Sequence, residues 1–247
     1  MRRTALVALL AAGTALSACA YNETLGRNQF LLVNDSALIQ QADAAWAEAL
    51  RTQRLSSDAA ANARVRRVGE RIVQAAGLTD RRWEYAVFVS ESPNAFVLPS
   101  GKIGVTTGLL SLVRNDDQLA AVLGHEVGHV VAQHAAERYS QTAATSAGLG
   151  ILQGAAGDYA QAAGAIGGLG AQLGVLLPFS RRHELEADRL GVDYLQRAGY
   201  RPSEAIALWR LMAQQRQGSN PEFASTHPSD ASRISALEQY IQSQGWA

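Results

Sequence analysis

Apolar residues recur at helical spacing over most of the chain. Leu38, Ala42, Ala45, Trp46, Ala49 and Leu50 form a stripe that predicts a helix over about 36–54, entered through Asn34-Asp35-Ser36. Ser56-Ser57-Asp58 interrupts the chain. Val65, Val68, Ile72 and Val73 then predict a second helix to about 76, closed by Gly77. Beyond it the period changes. Trp83 to Val89 is aromatic and β-branched, which predicts a strand. Phe96-Val97-Leu98 is a second short strand, Pro99-Ser100-Gly101 a turn, and Lys102 to Thr107 alternates and pairs back as a hairpin. Asn115 and Gln118 stand at capping-box spacing and open a strongly helical run to about Tyr139. Further helices are expected over 181–198, over 203–216 with Pro202 near its start, and over 229–243, with a loop from Ser219 to Pro228. The succession predicts a mainly helical α+β domain with one small sheet.

Two segments fall outside this pattern. Residues 141–178 are rich in Gly, Ala and Gln, and Asp158 is their only ionised group. Low side-chain volume suggests a mobile lid or plug. The stretch 162–179 is long enough to raise a membrane-spanning question, but its Gly/Ala content makes it weakly hydrophobic, which favours a lid or a lipid-touching flap. The N-terminus, MRRTALVALLAAGTALSACA, has a basic start at Arg2 and Arg3 and an apolar run too short to span a bilayer. It then reaches Leu16-Ser17-Ala18-Cys19, which holds the chain's only cysteine. This resembles the bacterial lipoprotein signal. The resemblance implies a signal peptide over 1–18 and a lipid on the Cys19 sulfur. It also implies a tether over 19–33, with Ala20 directing the protein to the outer membrane. A plain secretory signal cut after Ala18 or Ala20 is the alternative. The remaining residues, 34–247, form the folded domain.

Composition narrows the classes. Lys and Arg number 22 and Asp and Glu 22, so the chain has no formal net charge, which argues against a nucleic-acid binder. A hydrophobic fraction of 47% and a mean hydropathy of −0.07 exclude a polytopic membrane protein. A single cysteine excludes an intrachain disulfide.

The chemistry lies in the histidines. His125-Glu126-Val127-Gly128-His129 is HExxH inside a helical run. Positions i and i+4 share a face, so both imidazoles reach one metal ion. Glu126 borders that face, where it can take a proton from an attacking water and return it to a leaving amine. A catalytic zinc usually has three protein ligands. His134 lies nine residues past His125, on the opposite face of a continuous helix, and reads as structural or as an outer partner. A better third ligand is in Ser180-Arg181-Arg182-His183-Glu184-Leu185-Glu186-Ala187-Asp188. Glu184 and Asp188 are one turn apart. Glu184 suits the metal, and Asp188 suits the second nitrogen of a ligand histidine. Glu186 points elsewhere, and His183 is the rival for the third ligand. The plain alternative is a solvated face on which the carboxylates pair with Arg181 and Arg182.

HEVGHVVAQH followed by SRxxExEAD resembles the HtpX and CAAX-prenyl-protease family of zinc endopeptidases, family 48 of the metallopeptidases. The likeness extends to Asn94-Ala95-Phe96, Pro99-Ser100-Gly101 and Ile103-Gly104-Val105, and to Ser225-Thr226-His227-Pro228 with Arg233. It implies a gluzincin domain with an edge-exposed sheet packed on the HExxH helix. One Zn²⁺ per chain would be held by His125, His129 and Glu184, with Glu126 as general base and Asp188 behind a ligand. It further implies that Asn94, Ala95, Phe96, Val97 and Leu98 present a free strand edge to an extended polypeptide. His227 would donate to the oxyanion or fill the fourth zinc position, and Arg233 is the other candidate for the oxyanion.

The chain lacks the spanning helices of the membrane-embedded members and is most like the small lipid-anchored periplasmic ones. The expected function is cleavage of unfolded or misassembled envelope proteins at the periplasmic face of the outer membrane. The alternatives are a chaperone-like assembly factor that binds clients in the same cleft, and a zinc-buffering lipoprotein.

Overall fold

The structure, a computed structural model, describes residues 19–33, 35–153, 179–215, 227 and 231–246. The signal segment, positions 154–178 of the Gly/Ala-rich stretch and most of the 219–228 loop lie outside the described residues.

The first described residues form a hairpin where the sequence suggests only a tether. Strand β1 (Cys19–Asn22) pairs antiparallel with β2 (Arg27–Phe30), so Cys19 stands opposite Phe30. Asn22 closes the turn, its Oδ1 accepting from the Leu25 N–H at 3.1 Å. Helix α1 (Asp35–Thr52) buries Leu38, Ala42 and Trp46. Helix α2 (Ala59–Ala75) starts at Asp58, whose carboxylate accepts from the backbone N–H groups of Ala60 and Ala61. It buries the predicted stripe of Val65, Val68, Ile72 and Val73 and stops before Gly77, which has φ +72°.

The three-stranded sheet has the order β3 (Glu84–Phe88), β5 (Lys102–Thr106), β4 (Ala95–Leu98). The predicted hairpin is β4–β5, with Phe96 opposite Gly104. Strand β3 pairs parallel to β5, with Val87 opposite Val105. The chain therefore passes over β5 to set β4 at the edge. Trp46, Phe88 and Phe96 meet ring to ring at about 6 Å, fixing α1 on this sheet. A short helix α3 (Thr107–Leu112) follows without a predicted counterpart. Thr106 Oγ1 caps it by accepting from the Leu109 N–H, which turns the end of the strand into a helix start.

Helix α4 (Asp116–Val131) carries HExxH. Asn115 Oδ1 accepts from the Gln118 N–H at 2.8 Å, and Asp116 and Asp117 favour the positive end of the helix dipole. Every residue from Gln118 to Val130 is buried, so the helix threads the core, with β4 packed against it. The sequence predicts one helix to Tyr139, but the chain breaks at Gln133, which has φ +52°, and restarts as α5 (His134–Gln153). Helices α6 (Arg181–Arg197), α7 (Ser203–Gln215) and α8 (Ala231–Ser243) complete the domain. Among the described residues no helix is long and apolar enough to cross a membrane.

Two glycines bring α6 close to α4. A Cβ on Gly191 would lie 2.8 Å from the His125 nitrogen, and one on Gly128 would lie 2.9 Å from the Ala187 oxygen. With no side chain between them the two backbones touch, which sets Glu184 and Asp188 over the histidines of α4.

Candidate metal centre

His125, His129, Glu184 and His227 are all buried, and one ligand atom from each lies within 4.8 Å of the others. His125 Nε2 is 3.1 Å from His129 Nε2 and 3.2 Å from His227 Nδ1. Glu184 Oε1 is 3.4 Å from His129 Nε2 and 3.1 Å from His227 Nδ1, and Glu184 Oε2 is 3.5 Å from His125 Nε2. Four donors bound to zinc at about 2.0–2.1 Å in a tetrahedron stand about 3.3–3.4 Å apart, so this set has the right size.

Hydrogen bonds on the far side of each ring show what the facing atoms carry. Burial works to raise the Asp188 pKa, but Arg233 and His125 outweigh it and hold the carboxyl below its usual range. Asp188 can then only accept, so His125 Nδ1, at 2.9 Å, carries the proton. Burial pushes His134 down to about 4, so that ring is neutral. Its Nε2 donates to Glu186 Oε2 at 3.0 Å, which leaves its Nδ1 to accept from His129 Nδ1 at 2.9 Å. The ring nitrogens left to face the cluster are the two Nε2 atoms, 3.1 Å apart, beside a carboxylate. Two nitrogens and a carboxylate oxygen suit Zn²⁺, with His227 as a fourth donor.

Glu126 is adjacent and buried. Its Oε1 lies 3.4 Å from His227 Nε2, and burial pushes its pKa up to about 7. Arg233 is buried against the plane of Trp209 at 4.3 Å. It grips Asp188 with Nε at 2.5 Å and Nη2 at 2.7 Å, and reaches Glu184 with Nη1 at 2.5 Å. Burial raises the Glu184 pKa, but Arg233 and His227 overcome it and hold the carboxyl well below its ordinary value.

The remaining sequence candidates are placed as follows. His183 turns away from the cluster. Its Nε2 lies 3.2 Å from Glu137 Oε2, and its ring stacks on His134 at 4.3 Å. Asn94 is held at the mouth of the sheet, its N–H donating to Thr106 Oγ1 at 2.9 Å. Ala95 and Leu98 are buried, while Phe96 and Val97 are half-buried in the edge strand. Cys19 is exposed at the start of β1.

Several residues had no signal in the sequence. Phe179 stacks on His129 at 3.9 Å, with the Arg138 guanidinium 3.8 Å from the Phe179 ring. Arg27, Gln29, Glu137 and Glu186 form a charged cluster behind His134. No motif or spacing marks Arg27, Gln29 or Glu137, which come from distant segments; Glu186 lies inside SRxxExEAD but was expected to point away, and it instead receives His134.

A glutamate beside two HExxH histidines, with a second glutamate from a following helix, is the arrangement of the gluzincin kind of zinc metallopeptidase site. Peptidase family M48 matches residues 59–241, and the chain belongs to that family. It is 41% identical over 179 residues to the mitochondrial metalloendopeptidase OMA1 of Schizosaccharomyces pombe, a match covering 72% of this chain and 52% of that protein. It is 30% identical over 176 residues to the beta-barrel assembly-enhancing protease of Escherichia coli, covering 68% of this chain and 36% of that one. Metalloprotease LoiP of Escherichia coli is 27% identical over 161 residues, covering 65% and 64%. The chain thus spans about half the length of the Schizosaccharomyces pombe relative.

Proposed function

We propose that this chain hydrolyses peptide bonds inside unfolded or misassembled proteins of the bacterial envelope, held by a lipid on Cys19 at the periplasmic face of the outer membrane. The observation that carries the hydrolytic part is the closed set of four donors with Glu126 beside it. The envelope part rests on the lipoprotein-like first twenty residues and on likeness to a relative named for assembly of β-barrels.

His125, His129 and Glu184 would hold the zinc. When bound, it supplies Lewis acidity to the scissile carbonyl and to the attacking water. Glu126, with a pKa near neutrality, takes the water's proton and passes it to the departing amine. Asp188 and Arg233 keep His125 and Glu184 in place. An extended substrate adds to the outer edge of β4, which the sheet order leaves open and which lies against α4. His227 lies among the donors, so it would hold the metal as an internal fourth donor.

The test is metal content and casein cleavage by the full chain in detergent, compared with Glu126→Gln. Stoichiometric zinc in both, with cleavage reduced about 10²–10⁴-fold in the variant, is the expected result. Zinc in both with equal activity, or folded protein without zinc, would overturn the reading. A Cys19→Ala variant that stays with the outer membrane on fractionation would remove the anchor from it.

A further inference from the structure

Arg27 lies on β2, 98 residues before HExxH, yet its guanidinium is saturated next to the metal centre. Its Nε donates to Glu186 Oε1 at 2.7 Å. Its Nη1 donates to Glu137 Oε1 at 2.8 Å and to the Asn28 carbonyl at 3.2 Å. Its Nη2 donates to Glu137 Oε2 at 2.8 Å and to Glu186 Oε2 at 2.7 Å. All five N–H donors are used, in two forks onto two carboxylates. Gln29, two residues on, donates to Glu137 Oε2 and to the Ala132 carbonyl, both at 2.7 Å, at the break between α4 and α5. The backbone N–H of Leu32 donates to Ser140 Oγ at 2.8 Å.

The same Glu186 oxygen that receives Arg27 Nη2 receives His134 Nε2, and His134 Nδ1 receives the proton of His129. A continuous line of hydrogen bonds therefore runs from the N-terminal hairpin through Glu186 and His134 to His129. We infer that Arg27 is a positioning residue for the metal: it fixes the Glu186 carboxylate that orients His134, and His134 aims His129. Docking of the hairpin that begins at Cys19 is thereby part of assembling the zinc site. The inference rests on the zinc reading given above.

A purely mechanical role for Arg27 would lower thermal stability and leave the metal unaffected. A positioning role changes the metal itself. The experiment uses the full chain in detergent as wild type, Arg27→Gln, Arg27→Lys and Glu186→Gln. It measures zinc affinity by competition with a chelator and the visible absorption of the Co²⁺-substituted proteins.

For Arg27→Gln the expected result is about 10-fold weaker zinc binding, with a changed Co²⁺ band. Arg27→Lys keeps the charge but not the forks, and is expected to recover part of the affinity. Glu186→Gln keeps an acceptor for His134 and weakens the hold of Arg27, and is expected to match Arg27→Gln. If Arg27→Gln does not fold, the Lys and Glu186 variants decide. Unchanged affinity and Co²⁺ spectrum in every folded variant, whatever their melting temperatures, would overturn the inference. A wild type that binds no zinc would instead bring down the metal reading itself.

Discussion

His125 and His129 leave one helix a single turn apart, yet different parts of the chain brace them. Behind His125 stands Asp188, gripped by Arg233, with Trp209 beneath. All of these come from the C-terminal helices α6, α7 and α8, and all are sealed from solvent. Behind His129 stands a longer relay through His134 and Glu186 to Arg27, drawn from α5, α6 and the N-terminal hairpin. The side chains of that ion-pair cluster remain 7–17% exposed. A direct carboxylate brace is short and dry. A relay of neutral histidine and charged cluster is longer and ties a ligand to a segment remote in the chain.

The contrast can be tested by cutting each brace in turn. Asp188→Ala should be the most damaging, because it leaves Arg233 buried with one carboxylate fewer and His125 without its acceptor. Breaking a buried pair in this way costs about 3–5 kcal/mol, and loss of an outer partner weakens metal binding about 10–100-fold. Denaturant unfolding with and without zinc checks both. If Asp188→Ala were milder than Arg27→Gln, the ranking of the two braces would be reversed.

Gly191→Ala should affect both histidines together. The new methyl meets the His125 backbone at 2.8 Å, so α6 must withdraw from α4 and carry Glu184, Glu186 and Asp188 with it. A loss of about 1–3 kcal/mol is expected from such overpacking, together with weaker zinc binding. Thermal melting beside chelator competition reads it.

The smallest expected effect is the part of the acid sensitivity that Glu137 contributes on the His129 side. Burial raises the Glu137 pKa, but His183, Arg27 and Gln29 overcome that and hold it far below the ordinary 4.5. A carboxyl with a depressed folded pKa contributes stability that is fully present above about 4.5 and is lost as pH falls towards its folded value. Melting temperature should therefore drop below about pH 4.5 in the wild type. The slope should be shallower in Glu137→Gln, which starts lower at neutral pH. Equal slopes would show that Glu137 contributes nothing to acid stability.

Much of the fold was legible because it is local. The stripe of α2, the cap at Asn115 and the β4–β5 hairpin follow from spacing and turn chemistry alone. The grouping of His125, His129 and Glu184 was legible for the same reason, since each sits in a short helical motif. His134 shows where that logic ends. A continuous helix puts it on the wrong face. The left-handed turn at Gln133 starts a new axis and returns its ring to His129, and glutamine gives no warning of that conformation. The parallel pairing of β3 with β5 was equally hidden, because strand direction in a sheet depends on how the chain crosses over, not on alternation.

The sequence by itself determined most of the long elements and the chemical types: two histidines on one face, a glutamate beside them, and two carboxylates one turn apart in a later helix. These are consequences of helical repeat and side-chain chemistry, which act over a few residues. Only the tertiary structure decided which groups stand behind the ligands. Arg27 meets Glu137 and Glu186 across more than a hundred residues of chain, and Arg233 meets Asp188 across 45. Those contacts exist because glycine lets α4 and α6 touch and because the hairpin docks at the break before α5. Burial then makes each charged group require a partner, whichever segment supplies it.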